Sequence, residues 1–274
     1  MTEWTQVWRR AELIENRPLA RGTQLTRFRL GDDLPFPFEP GHVVALRLET
    51  PAGLVRHAYT LSFTAPDQRT LDIVYRIIPG GRLTPHLAAA PAGALAELQG
   101  LHHQPIRLEM EPSAPAFLGL ATGSGVGPLV GFATQALASG FHRPLSLLLG
   151  FRESADLAFA DHLDRLAATH GNFRWRATLS APEADWTGLR GRLQEHLPAL
   201  LAEVPGAHVH MVGNLAMVRT VEAALLQAGW PERRITHEGF FNWNAEADAA
   251  QAADLARRLP RFVEPQPAQA WIPG

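Results

Sequence analysis

The chain has 274 residues, 46% of them apolar, enough for one large domain or two ordinary ones with a substantial core. A net charge of −2 supplies no basic field for nucleic acid. Cysteine and lysine are both absent, which excludes disulfides, thiolate metal sites, cysteine nucleophiles, a Walker A lysine and a Schiff-base lysine.

The N-terminal stretch "MTEWTQVWRRAELIENRP" alternates charged and apolar residues without the uninterrupted apolar centre of a signal peptide, and no later run approaches bilayer length. A cytoplasmic protein without membrane attachment is expected. Five strands are predicted next, over Thr23 to Leu30, His42 to Glu49, Tyr59 to Thr64, Thr70 to Ile78 and Ile106 to Glu111. Turn signals such as "GDDLP", "EPG", "TPAG" and "APDQ" separate them. This spacing predicts an antiparallel barrel or sandwich, interrupted by "GGRLTPHLAAAP", a turn followed by one short helix.

From about Ala114 apolar strands alternate with helical segments: "AFLGLAT" and "PLVGFATQALAS", "PLSLLLGF" and "FADHLDRLAATH", "FRWRATLS" and "LRGRLQEHLPALLAE", "HVHMVGN" and "AMVRTVEAALLQAG". A βαβα series implies a parallel sheet covered by helices. The expected organisation is a β-barrel domain over residues 1–112 and an α/β domain over 113–274, joined near "EPSAP". The tail "PRFVEPQPAQAWIPG" reads as extended.

The glycine-rich turn in "GLATGSGVGPLVGF" (Gly119 to Phe132) lies between a strand and a helix. A nucleophile elbow would need glycines where Thr122 and Val126 stand. A Walker A loop would need lysine, and the G-x-G-x-x-G fingerprint would need glycine at Pro128. Gly123, Gly125 and Gly127 remain, with a proline suited to a first helical turn. Both an anion-binding turn and close helix–strand packing satisfy that pattern.

Several motifs in order carry a more specific reading. "TGSGVGP" resembles the T-G-x-G-[IV]-[AG]-P loop of the ferredoxin–NADP reductase family. "FEPGHVV" (Phe38 to Val44) resembles its F-x-P-G-Q-[FY]-V strand, and "HAYTLS" (His57 to Ser62) its R-x-Y-S-[IL]-x-S strand. "GGRLTPHL" (Gly80 to Leu87) resembles the G-x-[LV]-[ST] turn and helix. "MVGNLAMV" (Met211 to Val218) resembles C-G-x-x-x-M, and "HEGFF" (His237 to Phe241) the late E-x-[YF] element.

The resemblance implies an FAD-binding barrel followed by an NAD(P)-binding α/β domain. Hydride would pass from nicotinamide to flavin N5, and electrons would leave singly to ferredoxin or flavodoxin. Tyr59 would lie against the isoalloxazine, and Thr60 would place a hydroxyl near N5. His57, Ala58, Arg76, Gly80, Gly81, Leu83 and Thr84 would complete the FAD site, Thr84 doubling as a helix N-cap. Glu238 would manage a proton or charge during flavin reduction. Phe240 would cover the other flavin face, with Phe241, Trp243 and Trp271 as competitors. Thr122, Gly123, Gly125, Val126, Gly213 and Met217 would line the nicotinamide side. Arg152, Ser180 and Arg192 would reach the nucleotide phosphates, which favours NADPH over NADH. A monomer without a metal is expected, and the extra C-terminal segment is expected to fold over the flavin's adenine end.

Two departures stand out. The family's phosphate-binding arginine is His57 here, and Arg56, one residue earlier, faces the opposite side of a strand. Weaker FAD binding than in relatives follows. The family's cysteine is Val212. Rival readings are a flavin-binding module that transfers no electrons, a reductase serving an oxygenase or a small oxidant, and a metal hydrolase built on His208 and His210 or on His102 and His103. No ordered carboxylate cluster accompanies either histidine pair, so core or solvated histidines are the expectation there.

Overall fold

In the computed structural model, which describes residues 7–101, 106, 113–240 and 244–264, the chain begins with a strand that the sequence reading passes over. Ala11 and Leu13 turn inward while Arg10 and Glu12 turn outward, making β1 (Arg9–Ala20). It is followed by β2 (Thr23–Leu30), β3 (Val43–Thr50), β4 (Gly53–Thr64), β5 (Thr70–Arg76), the helix α1 (Thr84–Ala89) and β6 (Leu95–Gly100). The predicted strand over 106–111 lies outside the described residues apart from Ile106.

The six strands form a closed antiparallel barrel in the order β1-β2-β5-β4-β3-β6. Inside it lie Phe28, Leu46, Leu61, Ile73 and Leu98, all shielded from solvent. β6 is "LAELQG", a composition that favours helix; pairing with β1 on one side and β3 on the other makes it a strand. On the outer wall Arg27 holds the buried Asp72 carboxylate through two bonds of 2.7 and 2.8 Å and also reaches Glu15. α1 is plugged into the barrel by Leu83 and Leu87. Its last carbonyls, which no helix can satisfy internally, are met by Asn16, whose Nδ2 donates to Leu87, Ala88 and Ala90 at 2.9–3.2 Å.

The second sheet contains β7 (Phe117–Thr122), β8 (Leu145–Phe151), β9 (Phe173–Leu179), the short β10 (Leu189–Arg190), β11 (His208–Asn214) and β12 (Ile235–Phe240). All pairs are parallel, in the order β10-β9-β8-β7-β11-β12. The helices are α2 (Val126–Ala138), α3 (Ala160–Thr169), α4 (Leu193–Glu203), α5 (Leu215–Gln227) and α6 (Ala249–Arg258). α4 starts four residues later than the pattern predicts. Leu189 and Arg190 pair with β9, and Gly191, at φ +101°, breaks the chain before the helix begins. Contacts group the described residues of Met1–Pro105 with Gly127–Phe132 in one unit, and those of Ile106–Val126 with Ala133–Gly274 in the other. Among the described residues no helix is long and apolar enough to cross a membrane.

The described part of the C-terminal extension packs on the α/β unit. Ala252, Leu255, Ala256 and Leu259 join the core beside α4 and α5. Phe262 meets Trp230 edge-on at 5.2 Å, and Glu264 reaches the buried Arg234 at 3.1 Å. Those contacts stand near the end of α5 and the start of β12, the edge of the sheet away from its strand C-termini. Trp271 and the rest of the tail lie outside the described residues, as do His102 and His103.

His208 and His210 are core residues. Both are buried, and both stack on Phe117, at 5.9 and 6.4 Å. The Thr236 hydroxyl lies 2.8 Å from His208 Nε2 and 2.8 Å from His210 Nδ1, so with neutral rings it donates to one and accepts from the other. Burial, with His208 and His237 nearby, pushes the His210 imidazole well below its usual range. A depressed histidine stabilises the fold above the unfolded-state value, near 6.5, and that stability is lost as pH falls below it. Denaturant titrations should show stability falling from pH 7 towards pH 5, with a shallower slope in His210→Phe.

At the C-terminal ends of β7 and β11 two backbones come unusually close. Gly213 sits at φ +142°, and a Cβ there would lie 2.1 Å from Thr122 Oγ1 and 3.0 Å from the Thr122 carbonyl oxygen. Gly213→Ala should therefore cost about 2 kcal/mol or more in chemical denaturation, part of it recovered by adding Thr122→Ala.

Candidate functional site

On the barrel, the proposed flavin residues come from β4, the end of β5 and the turn into α1. β4 pairs with β3 over Gly53–Thr60 but with β5 only from Leu61 onward, and Arg56, His57 and Ala58 are exposed in sequence before the strand becomes buried at Thr60. Arg56 pairs in register with Arg47, and both guanidiniums lie over the Trp8 ring, at 5.2 and 4.2 Å. His57 pairs instead with Leu46, a barrel-core residue. Cross-strand partners share a face, so Arg56 and His57 point to opposite sides and Arg56 does not replace the missing arginine.

Tyr59 is half-buried with its ring 6.0 Å from that of Tyr75. Burial, and secondarily Tyr75, pushes its hydroxyl well above the usual range, so it stays protonated. Thr60 is nearly buried, 4% exposed, and Arg76 is exposed at the end of β5. The turn that follows is held from within. The Gly81 N–H donates to the Ile78 carbonyl at 2.8 Å, and the Ile78 N–H donates to Thr84 Oγ1 at 2.9 Å. Thr84 is accordingly the first residue of α1 and not its N-cap; Leu83 occupies the cap and makes no side-chain cap bond. Gly80 needs its positive φ of +71°, and a Cβ on Gly81 would lie 2.9 Å from the Ile78 oxygen. An exposed mid-strand ledge, an aromatic ring at its end and a turn whose backbone is bare of side chains fit a flat flavin carrying a diphosphate.

In the α/β unit the proposed nucleotide residues stand in a row along the C-terminal edge of the sheet. Arg192 follows β10, Ser180 follows β9, Arg152 follows β8, the glycine turn follows β7, and Gly213 and Met217 lie at the end of β11 and the start of α5. Glu238 and Phe240 are at the end of β12, both half-buried. The chain winds outward from β7 to β10 in one direction and returns through β11 on the other side. The crevice between β7 and β11 is thus a topological switch point, where open α/β sheets bind ligands.

Gly123 is exposed at this point, at φ +60°, with open space around the position of a Cβ. Gly125 is not open: a Cβ there would meet Val212 Cγ1 at 2.8 Å. Val126 is buried, its N–H spent on the Gly123 and Ser124 carbonyls. Thr122 Oγ1 accepts the Asn214 N–H at 3.3 Å, and Val212 pairs with Ala121 on one side and Glu238 on the other. Bare glycine backbone at a switch point followed by a helix start fits a dinucleotide phosphate. Val212, in place of the family's cysteine, packs under the turn.

Further along the edge Ser180 and Arg152 are exposed, Arg152 Nε lying 3.4 Å from Glu153 Oε1. Arg192 is exposed and opens α4, where its N–H donates to Glu195 Oε1 at 3.1 Å. One residue here escapes motif reading: Glu183, whose carboxylate reaches back to Ser154 at 2.6 Å. Its only sequence signal is an acidic residue shortly after Ser180. Phe241 and Trp243 lie outside the described residues.

Comparison with known proteins agrees with this geometry. Residues 10–104 match the oxidoreductase FAD-binding domain family and residues 120–223 the oxidoreductase NAD-binding domain family. Ferredoxin–NADP reductase B of Sorangium cellulosum is 32% identical over 238 residues, covering 84% of this chain and 96% of that protein. The reductase subunit of an aromatic O-demethylase from Amycolatopsis is also 32% identical, covering 84% of this chain and 68% of that one. Among solved structures, a ferredoxin–NADP+ reductase from Neisseria gonorrhoeae with bound FAD and NADP shares the fold at TM-score 0.73 and 20% identity, covering 85% of this chain and 99% of that one. A barrel with a flavin ledge, a parallel sheet with a glycine turn at its switch point, and a full-length relative at this identity lead to one conclusion: the chain belongs to the ferredoxin–NADP reductase family of FAD-dependent, NAD(P)H-linked oxidoreductases.

Proposed function

We propose that this chain passes electrons from NADPH, through FAD, to a separate one-electron carrier, ferredoxin or flavodoxin, and works as a cytoplasmic monomer. FAD belongs to residues 1–112 and the nicotinamide nucleotide to 113–274. The observation that carries the reading is the glycine turn at the β7–β11 switch point, with an exposed arginine-bearing edge running from it to β10. The 274 residues contain no cysteine with which to hold an iron–sulfur cluster, which favours a carrier on another chain.

Bound FAD supplies the redox chemistry, accepting hydride and releasing electrons singly. The chain supplies position. Tyr59 offers an aromatic face that keeps water away, and Thr60 a hydroxyl beside it. His57 donates a hydrogen bond to phosphate, Arg76 adds charge, and the Gly80–Thr84 turn brings bare backbone close. Gly123 and Thr122 admit the nicotinamide end, Arg152, Ser180 and Arg192 hold the adenosine end, and Glu238 manages a proton or charge during flavin reduction. The oxygenase-linked reading is favoured by relatives named as reductase components of a naphthalene 1,2-dioxygenase system and of a phenol 2-monooxygenase.

Purified protein should be yellow and should bleach on addition of NADPH without oxygen, with a lower KM for NADPH than for NADH. A colourless protein that FAD does not reconstitute overturns the reading, and a large NADH preference overturns the choice of nucleotide. Reduction of ferredoxin or flavodoxin, set against reduction of an oxygenase partner, separates the two acceptors. His57→Ala should weaken FAD binding about fivefold, the worth of one ordinary hydrogen bond; unchanged affinity removes His57 from the phosphate site.

A further inference from the structure

We infer that the C-terminal extension positions the nucleotide edge of the sheet: Gln251 of α6 holds the first turn of α4 and, through it, Arg192. The inference rests on the nucleotide reading of that edge given above. α6 lies against both α4 and α5, and it is fixed on α5 at two points. The Asp248 N–H donates to Oγ1 of Thr220, a residue only 2% exposed, at 3.0 Å. Beyond the helix, Arg261 Nη1 donates to the Gln227 carbonyl at 2.9 Å. Between those anchors Ala252 and Leu255 share one buried core with Leu193 and Leu197 of α4.

A polar contact runs between these two helices. Gln194, 6% exposed in the first turn of α4, donates from Nε2 to Gln251 Oε1 at 3.1 Å, and among the described residues Gln251 is the one hydrogen-bond partner of its side chain. Gln251 is itself aimed by the start of α6, where its N–H donates to the Asp248 carboxylate at 2.9 Å. Apolar contacts tolerate sliding, whereas a buried amide pair is satisfied in one register only. Arg192 stands two residues before Gln194, at the helix N-cap. Gly191, at φ +101°, breaks the chain after β10, so the direction of Arg192 follows from where the first turn of α4 is docked. On the sheet side that turn is met by Thr178, whose Oγ1 donates to the Gly191 carbonyl at 2.8 Å. Leu193 Cβ lies 3.4 Å from the place of a Cβ on Gly150, near the end of β8, so a shift of the turn is felt at the strand that leads to Arg152.

Gln251→Met keeps the length of the side chain and the backbone bond to Asp248, but leaves the Gln194 amide without its acceptor. The FAD-loaded full chain is titrated calorimetrically with NADP+, and its flavin is reduced by NADPH in anaerobic stopped flow. Gln251→Met should weaken NADP+ binding about fivefold and raise the half-saturating NADPH concentration in parallel, with the limiting reduction rate unchanged. Gln251→Glu retains an acceptor oxygen and should restore both values to within about twofold. In an Arg192→Gln background, Gln251→Met should cause no further loss. A Gln251→Met protein that lowers the denaturation midpoint while binding NADP+ normally overturns the inference, as does a loss that persists undiminished in the Arg192→Gln background. Failure of the unaltered protein to bind NADP+ overturns the nucleotide reading and the inference with it.

Discussion

The α/β unit depends on how closely two strand ends approach at the switch point. Gly213 brings the β11 backbone so near to Thr122 that no side chain fits between them, and Thr122 Oγ1 accepts the Asn214 N–H across the same gap. Gly125 makes a second close approach, to Val212. These contacts hold the glycine turn against the start of α5, so that only Gly123 is left facing open space. The glycines of this turn therefore divide their work. Gly125 and Gly213 serve packing, while the Gly123 backbone stays bare.

The barrel leaves the first part of β4 open by pairing it on one side only. β3 pairs along Gly53–Thr60, whereas β5 joins β4 from Leu61 onward, and three successive residues remain exposed before Tyr59. Next to the ledge, α1 is too short to be stable by itself. Leu83 and Leu87 anchor it in the barrel, Asn16 satisfies its last carbonyls, and Thr84 ties back to Ile78. The turn between β5 and α1 is thus held in place by side chains engaged on either side of it. Trp8 and Arg47 take up Arg56 on the other face, which explains why an adjacent arginine does not substitute for the one the family carries at His57.

Most strands were legible because their apolar residues are β-branched or alternate. β2 and β11 have the predicted bounds. β6 was not legible: Leu, Ala, Glu and Gln favour helix, and only the demand for a sixth strand to close the barrel overrides them. The sequence pattern starts α4 too early because a helical periodicity runs through Leu189, whereas Gly191 and pairing with β9 decide the boundary. Motif reading does not reach the bond between Glu183 and Ser154, which joins residues 29 apart in sequence.

By itself the sequence determined the two-domain order, the family and the turn that carries the glycines, because these rest on local periodicity and on short motifs. It also determined that any thiol or lysine chemistry is excluded, since those residues are absent. Tertiary structure alone decided which glycine is open, which face Arg56 takes, that His208 and His210 share one hydroxyl inside the sheet, and where the described C-terminal extension packs. Each of those depends on which backbones meet across strands distant in sequence, and side-chain direction and burial are properties of that meeting rather than of any local run of residues.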